Sequence, residues 1–230
     1  MFTQVKVIGR GRVGSAIHAR LVERGLAADG PDADLILLCV PDSAIAGAAE
    51  AIPAGPWIAH VSGAMPLDAL EPHVLRFGLH PLQSFSKAGA AGQLDGAWGA
   101  VTAESDDARA VGWWLAETLG LRPFTLADND RAAYHAGAAM ASNYLVTLRA
   151  AARSLLEAAG APPEALDPLI RGVVDSGFEL TGPIARGDWE TVERHLAVIR
   201  AERPELEELY LVLAAATARI AGRDPEEVPG

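Results

Sequence analysis

The stretch VKVIGRGRVGSAIHARLVERGLAADGPDADLILLCVPDSAI, residues 5–45, decides the fold. It opens with a short β-like run, after which Gly9, Gly11 and Gly14 follow in the spacing G-x-G-x-x-G. Residues 13–24 then repeat apolar side chains at the period of a helix. In a loop between a strand and a helix, the first glycine permits a tight turn, the second lets a pyrophosphate approach and the third allows close helix packing. The stretch therefore predicts the beginning of a Rossmann-like nucleotide-binding domain.

The next part of that fold is missing. Only ten residues, GLAADGPDAD, separate the helix from the apolar run LILLCV at 35–40, and a strand with its crossover helix needs about a dozen or more. In one interpretation, residues 35–40 are the second strand and Asp42 binds the adenosine ribose. In the other, a whole βα unit is deleted and residues 35–40 are the third strand of the ordinary plan. Asp34 has the expected spacing from the glycines but lies at the wrong end of its strand.

Strand-like and helical segments alternate up to about residue 127 and only helical patterns follow. We predict strands at WIAHV, VLRFGLH, AWGAV and RPFTLA, and helices at 43–51 and 106–119. Beyond these, helical patterns cover about 129–159, 163–178, 189–200 and 204–221. The fold class is therefore α/β, a Rossmann-like parallel sheet shortened by one βα unit, with a nucleotide-binding domain at 1–127 and an all-α domain for substrate binding and dimerisation at 128–230.

The composition and net charge of the chain indicate which kind of partner and which cellular compartment to expect. The chain has 230 residues, a net charge of −11 and a pI near 4.9, which argues against nucleic acids and anionic membranes. Its single cysteine, Cys39, lies in an apolar run and has no internal partner for a disulfide. The N-terminal residues have the pattern of a strand and not of a secretory signal. The spacing of the histidines and the cysteine does not indicate a metal site. We expect a cytoplasmic protein whose partner is a small molecule.

Five motifs carry a resemblance to known families. DADLILLCVPDSAI resembles a strand and turn of the 6-phosphogluconate dehydrogenase-like superfamily, which includes ketopantoate and pyrroline-5-carboxylate reductases. HVSGAMPLDAL, GLHPLQSF, YHAGAAMASNYLVTL and LTGPIARGDWETVERHL are together similar to one branch, a Rossmann-like, NADP-oxidoreductase-like family of unassigned substrate. The resemblance covers nearly the whole chain, and it implies that the unit which normally meets the adenosine ribose is deleted.

The resemblance also implies a cofactor, NADP or NAD, with a weakened adenosine site. Arg10 and Arg12 are candidates to replace lost phosphate contacts, because a guanidinium can grip phosphate with two hydrogen bonds; the alternative is a pair of solvated surface arginines. The predicted cofactor-binding residues are Gly9, Arg10, Gly11, Arg12, Val13, Gly14, Val40 and Pro41.

The predicted substrate cleft lies beyond the carboxyl ends of the strands. His80 and His135 are the candidate proton carriers near neutral pH, since Ala139 stands where β-hydroxyacid dehydrogenase relatives have a lysine. Tyr134 is a weaker candidate because its ordinary pKa is near 10. The predicted catalytic residues are His80, His135, Asn143 and Ser62, and the predicted substrate-binding residues are Gln83, Ser142 and Arg186.

These residues favour an NAD(P)-dependent oxidoreductase of a small keto or imino acid, with a homodimer formed through the helical domain. The alternative from a different class is a non-redox binding or structural homologue that has lost its dinucleotide. The ten-residue gap favours that alternative, and the polar residues of the cleft favour an enzyme.

Overall fold

The computed structural model describes residues 2–30, 32–86 and 91–230. By its internal contacts the chain divides into two compact units, residues 1–142 and 143–230. The first unit contains the sheet and the second contains helices.

The first unit is built on a six-stranded sheet. Its strands are β1 (Val5–Ile8), β2 (Leu35–Leu38), β3 (Trp57–His60), β4 (Arg76–Leu82), β5 (Trp98–Thr102) and β6 (Arg122–Thr125). They lie in the order β1-β2-β3-β4-β5-β6. The first four strands run parallel, whereas β5 runs antiparallel to β4 and β6 runs parallel to β5. All six had been expected from the sequence, and the reversal of the last two had not.

Helices complete both units. In the first are α1 (Arg12–Glu23), α2 (Ile45–Glu50), α3 (Asp106–Leu119) and α4 (Arg131–Ala139), which is followed by a π-helical turn, Met140–Tyr144. In the second are α5 (Leu145–Ala158), α6 (Leu166–Asp175), α7 (Pro183–Arg186), α8 (Trp189–Glu202) and α9 (Glu207–Ile220). The predicted fold class, a shortened Rossmann-like sheet followed by helices, is confirmed; among the described α-helices, the short α7 had not been predicted.

The sheet carries a hydrophobic layer on each face. Alternate residues of β2 point to opposite sides, so that Leu35 and Leu37 pack with α1 and α3, while Ile36 and Leu38 pack with α2. This accounts for the continuous apolar run in the sequence, because both faces of the strand are buried. Helices α1 and α2 therefore cover opposite faces of the sheet.

A remnant of the second strand remains on the free edge of β1. There, Val5 donates its N–H to the carbonyl of Leu26 at 2.8 Å and accepts from the N–H of Ala28 at 3.0 Å, which makes a one-residue parallel bridge to Ala27. The chain then turns back, and Asp34 donates its N–H to the carbonyl of Gln4 at 2.9 Å before β2 begins on the other edge of β1. The second βα unit of the usual fold is thus reduced to one bridged residue, in agreement with the prediction that no full unit could fit.

The position of β2 corrects one detail of the sequence interpretation. In the doubly wound order 3-2-1-4-5-6, the first strand is flanked by the second and the fourth. Here the remnant lies on one side of β1 and β2 on the other, so β2 has the position of the fourth strand and not of the third. Crossover connections between parallel strands are right-handed. The connection through α1 leads to the remnant on one side of β1, whereas α2 connects β2 to β3 on the other side, so the two helices lie on opposite faces of the sheet.

Two further features differ from the sequence expectation. His80 was expected to end its strand, but β4 continues to Leu82 because β5 pairs with it, with His80 opposite Ala100. The parallel pairing of β4 with β3 stops earlier, at His60 and Gly78, so that His80 extends past the end of β3. The change from strands to helices follows β6 as expected. Residues 128–142 nevertheless have their contacts in the first unit, and the assignment of 128–230 to one functional domain stays a prediction.

Across the three described ranges, no helix is both long enough and apolar enough to cross a membrane.

Candidate functional site

A cleft of about 490 Å³ opens where the first strands of the sheet end. Its walls come from the glycine loop after β1, the turn after β2 and the end of β3. Every predicted cofactor-binding residue except Gly14 lines it. The lining residues are Gly9, Arg10, Gly11, Arg12, Val13, Cys39, Val40, Pro41, Asp42, Val61 and Ser62. The fold thus brings the predicted cofactor residues together with the predicted catalytic Ser62.

The glycines of the loop have distinct roles in the structure. Gly9 has a φ of +99°, and a Cβ there would overlap the carbonyl oxygen of Cys39. A Cβ on Gly14 would overlap the carbonyl oxygen of Gly9 and come within 2.9 Å of the Cys39 Cβ, so this glycine allows α1 to pack against the loop. At Gly11, by contrast, no atom lies within 4 Å of the place that a Cβ would occupy. That open side is where a pyrophosphate could approach the backbone.

The loop also offers anion-binding groups. Gly11 caps α1 without a side-chain hydrogen bond, and the first turn of the helix contains no acidic residue. Its free N–H groups therefore attract a negative charge. Of the two arginines, Arg10 pairs with Asp29 at 3.3 Å between Nη2 and Oδ1, and Arg12 is exposed at the lip of the cleft.

The adenosine side of the cleft has little support. Asp29 follows the remnant strand directly and was not singled out from the sequence; its carboxylate is exposed and is held by Arg10. Asp34 is engaged elsewhere, since it accepts hydrogen bonds from the N–H groups of Thr3 and Gln4 at 2.8 and 3.0 Å. Those bonds lower the pKa of Asp34. Asp42 lines the cleft, but it follows the strand in the fourth position.

A cluster of histidine and tyrosine side chains lies next to the cleft. His80 Nδ1 is 2.7 Å from the Tyr134 hydroxyl, and the His80 and His135 rings meet edge to face with centroids 6.2 Å apart. Gly63 makes room for them, because a Cβ there would come within 2.7 Å of His135 Cδ2 and 3.0 Å of His80 Nε2. Since Gly63 follows Ser62, which lines the cleft, the two predicted histidines lie beside the turn at the edge of the cleft.

Burial determines the protonation states of His80 and Tyr134 at neutral pH. It lowers the pKa of His80 to about 4, with further lowering by His135 and Arg131, and it raises the pKa of Tyr134 to about 12. At neutral pH His80 is therefore an uncharged imidazole and Tyr134 keeps its proton. The hydroxyl of Ser62 accepts hydrogen bonds from the N–H groups of Ala64 and Met65 at 3.1 and 3.0 Å, so it also holds the turn after β3.

Two buried polar residues beneath the cluster were missed in the sequence. Arg131, only 1% exposed, donates to the Thr102 hydroxyl at 2.7 Å and to the carbonyl of Ser62. His60 is fully buried, and neither of its ring nitrogens has a hydrogen-bond partner among the described residues. No local sequence pattern indicates that these two residues are buried. Arg131 stands at the start of a helix and His60 inside an apolar strand, and their burial depends on the packing of α4 against the sheet.

The remaining predicted residues lie outside the cleft lining. The Gln83 amide donates to the carbonyl of Gln93 at 3.2 Å. The exposed Ser142 donates its hydroxyl to the carbonyl of Ala138 at 2.7 Å. Asn143 lies in the π-helical turn, which changes the helical phase on which its alignment with His135 had been predicted. Asn143 and Arg186 belong to the second unit. The substrate and catalytic roles of these four residues stay predictions.

Residues 97–217, just over half of the chain, match the family model described as "Domain of unknown function (DUF2520)". No curated protein matches the chain.

Comparison with solved structures shows the same fold in proteins of low sequence identity. The "putative NADP oxidoreductase BF3122" from Bacteroides fragilis superposes with a TM-score of 0.80 at 23% identity, over 95% of this chain and 98% of its own. Protein TM1727 from Thermotoga maritima gives a TM-score of 0.77 at 22% identity, with the same coverage of 95% and 98%. A 1-pyrroline-5-carboxylate reductase from Streptococcus pyogenes gives 0.60 at 16% identity over 95% of this chain and 97% of its own.

Proposed function

The chain belongs to the DUF2520 family, and from that premise we propose that it is an NAD(P)-dependent oxidoreductase acting on a small keto or imino acid. The observation that carries the proposal is the cleft itself, in which the glycine loop and the turn at Val40 and Pro41 meet Ser62 beside His80 and His135. The names of the solved relatives support the reaction class by analogy of fold. The same analogy of fold supports, as part of this proposal, membership of the 6-phosphogluconate dehydrogenase-like superfamily.

The residues present fit one half of a dinucleotide better than the other. Gly11 and the uncapped N-terminus of α1 would hold the pyrophosphate, and Val40 and Pro41 would lie beside the nicotinamide half. A bound nicotinamide would supply or accept a hydride. On the adenosine side, the strand that normally contributes a carboxylate is reduced to the bridge at Ala27. NADP and NAD both remain within the proposal.

Within the cleft, His80 would orient the substrate by hydrogen bonding to its keto oxygen or imine nitrogen, and His135 would close the other side of the same space. Ser62 would fix the turn that supports both rings. Asn143, Ser142, Gln83 and Arg186 are retained as proposed substrate contacts, with Arg186 suited to a substrate carboxylate by its charge.

Calorimetric titration with NADPH, NADH, ADP and pyrophosphate tests this function. We expect one reduced cofactor to bind with a Kd on the order of micromolar, and ADP to bind at least about tenfold more weakly because the adenosine side lacks its strand. If neither NADPH nor NADH binds, the oxidoreductase proposal fails.

A specific observation favours a second candidate, a non-redox homologue that binds a small phosphate-containing molecule. The edge of β1 offers only one bridged residue, and Arg10 is already paired with Asp29. This alternative predicts that pyrophosphate binds while NADPH and NADH do not, which the same titration distinguishes.

We also propose a homodimer formed through the second unit. Helix α6 exposes an apolar stripe that includes Leu169, 64% exposed, and Val173, and Phe178 just beyond the helix is 70% exposed. Exposed apolar surface of this kind marks an association site.

Replacing Leu169 and Val173 together with glutamate is expected to convert a dimer into a monomer, because two charges would be buried in the interface. Light scattering coupled to size-exclusion chromatography measures the mass. Arg171→Gln, on the same helix, is the control for a change of charge and should leave the dimer intact. A wild-type chain that elutes as a monomer would contradict the proposal.

A further inference from the structure

We propose that Arg131 and Tyr134 are positioning residues that hold His80 as a neutral imidazole with its proton on Nε2, the nitrogen next to the cleft. His80 would then present an N–H donor, and not an imidazolium, to what binds there. The identity of the acceptor, a keto oxygen or an imine nitrogen, rests on the proposed function. The state of His80 does not, because it follows from contacts within the first unit.

Tyr134 selects the tautomer. Its hydroxyl is 2.7 Å from His80 Nδ1 and the rings meet edge to face, with centroids 5.5 Å apart. Burial keeps this phenol protonated by raising its pKa to about 12. Among the described residues His80 Nδ1 is the one hydrogen-bond partner of the hydroxyl, so we assign the hydroxyl as donor and Nδ1 as acceptor. A neutral imidazole has one N–H group, and with Nδ1 as acceptor that group is Nε2–H.

The position of Nε2 makes this tautomer useful. A Cβ built on Gly63 would lie 3.0 Å from Nε2 and 3.1 Å from Cε1 of His80, so this edge of the ring faces the turn that ends β3. The preceding residue, Ser62, lines the cleft. Only Nδ1 of His80 has a hydrogen-bond partner among the described residues, which leaves Nε2–H free for a ligand.

Arg131 supplies the positive charge. Its guanidinium binds Thr102 and the carbonyl of Ser62 from below, and it occupies space that exists because residue 78 is glycine, where a Cβ would lie 2.9 Å from Nη1. Arginine keeps its proton even when buried. None of the described carboxylates forms an ion pair with it.

A cation in this place is costly in ways that a packing role does not require. It is removed from water, it lacks a carboxylate partner, and as the first residue of α4 it lies at the positive end of a helix dipole. An apolar side chain of similar length would fill the space without these costs. We therefore infer that the positive charge of Arg131 has a role other than packing, which is to change the pKa of the titratable groups next to it.

The groups that act on His80 come from three elements. His60 lies on β3, Asp42 follows β2, and Arg131, Tyr134 and His135 lie on α4. Burial is the first cause of the lowered pKa of His80, the neighbouring His135 and Arg131 lower it further, and Asp42 opposes them. Of these neighbours, Arg131 is the arginine and carries a permanent positive charge.

Nitrogen-15 NMR of the histidine rings in the full-length, ligand-free protein tests the proposal. In the wild type, His80 is expected to show a protonated Nε2 and an unprotonated Nδ1 at pH 7. Arg131→Met should raise the pKa of His80 by about one unit, whereas Arg131→Lys, which keeps the charge and loses the planar fork, should leave it low. A structural role alone would make both variants behave alike.

Tyr134→Phe provides the second arm and removes the donor to Nδ1. The proton of His80 is then expected to distribute between both nitrogens, with the fold retained because only a hydroxyl is lost. A wild-type His80 protonated on Nδ1, or a His80 pKa that is unchanged in Arg131→Met, would overturn the proposal. Because the NMR experiment uses the protein without a cofactor, a negative result in it is distinct from a negative result in the cofactor titration.

Discussion

Acidification from pH 6.5 to 4 is expected to lower the free energy of unfolding of the first unit by about 6 kcal/mol. The cause is a pair of histidines that are buried in the uncharged form. Burial lowers the pKa of His60 to about 3 and that of His80 to about 4 from the usual 6.5. A loss of this size is comparable with the whole stability of an ordinary domain, so we expect unfolding at mildly acidic pH.

The sign follows from proton binding. From pH 6.5 to about 5 the unfolded chain protonates both histidines while the folded chain binds almost no proton at either site, and at pH 4 the folded His80 is about half protonated. Stability therefore falls by up to about 1.4 kcal/mol per pH unit for each histidine, and it changes little on their account well above pH 6.5. The lowered pKa of carboxylates such as Asp95 adds a further loss mainly below this window.

Urea unfolding at a series of pH values measures this effect. Four of the five tryptophans lie in the first unit, at 57, 98, 113 and 114, so fluorescence reports mainly on it. His60→Gln should reduce the slope by about one half, and His195→Gln, an exposed site in the second unit, should leave it unchanged. A flat profile between pH 6.5 and 4 would contradict the burial of neutral histidines.

Gly14→Ala is expected to destabilise the first unit by about 2–3 kcal/mol, although alanine is the better helix former. The new Cβ would overlap the carbonyl oxygen of Gly9 and crowd the Cys39 Cβ. One neighbour is a backbone atom and the other is the Cβ of a partly buried side chain, which is fixed by its own backbone, so neither can move aside cheaply. Helix α1 would have to shift away from the strand it covers. Chemical denaturation measures the loss.

Gly11→Ala is the matched control and separates stability from binding. Its φ is −67° and no atom lies within 4 Å of the new Cβ, so we expect a cost of at most about 1 kcal/mol from the poorer helix cap. The methyl group would instead occupy the side from which a pyrophosphate approaches. We expect the affinity for the reduced cofactor to fall about tenfold or more. If both variants lose stability equally, the assignment of roles within the loop is wrong.

Several features of the fold could be predicted because they depend on local chemistry. The spacing of Gly9, Gly11 and Gly14 between an apolar run and a helical pattern identified the loop, and the structure places the residues of that loop around one cleft. The length of the segment 25–34 showed that no full βα unit could fit. The helix predicted at 106–119 is observed as Asp106–Leu119, which begins at the Ser105 cap and ends at Gly120 with a φ of 88°.

The parts of the site that could not be predicted depend on contacts between distant segments. Arg131 is 29 residues from Thr102 and 69 from Ser62 along the chain, yet it binds both. His80 was singled out from the sequence, but its neutral state and its tautomer come from Tyr134, 54 residues away. No local pattern encodes these distances, because they arise only when α4 packs on the ends of β3 and β4.

The sequence by itself determined the nucleotide-type loop, the order of strands and helices, and the loss of chain between α1 and β2, since each is set by residue type and spacing. Only the tertiary structure decided which strand stands next to β1, that a single bridge at Ala27 survives from the second strand, and that His80 is uncharged at neutral pH. These last features depend on pairing and burial, and the free energies of both are set by neighbours that come together only in the folded chain.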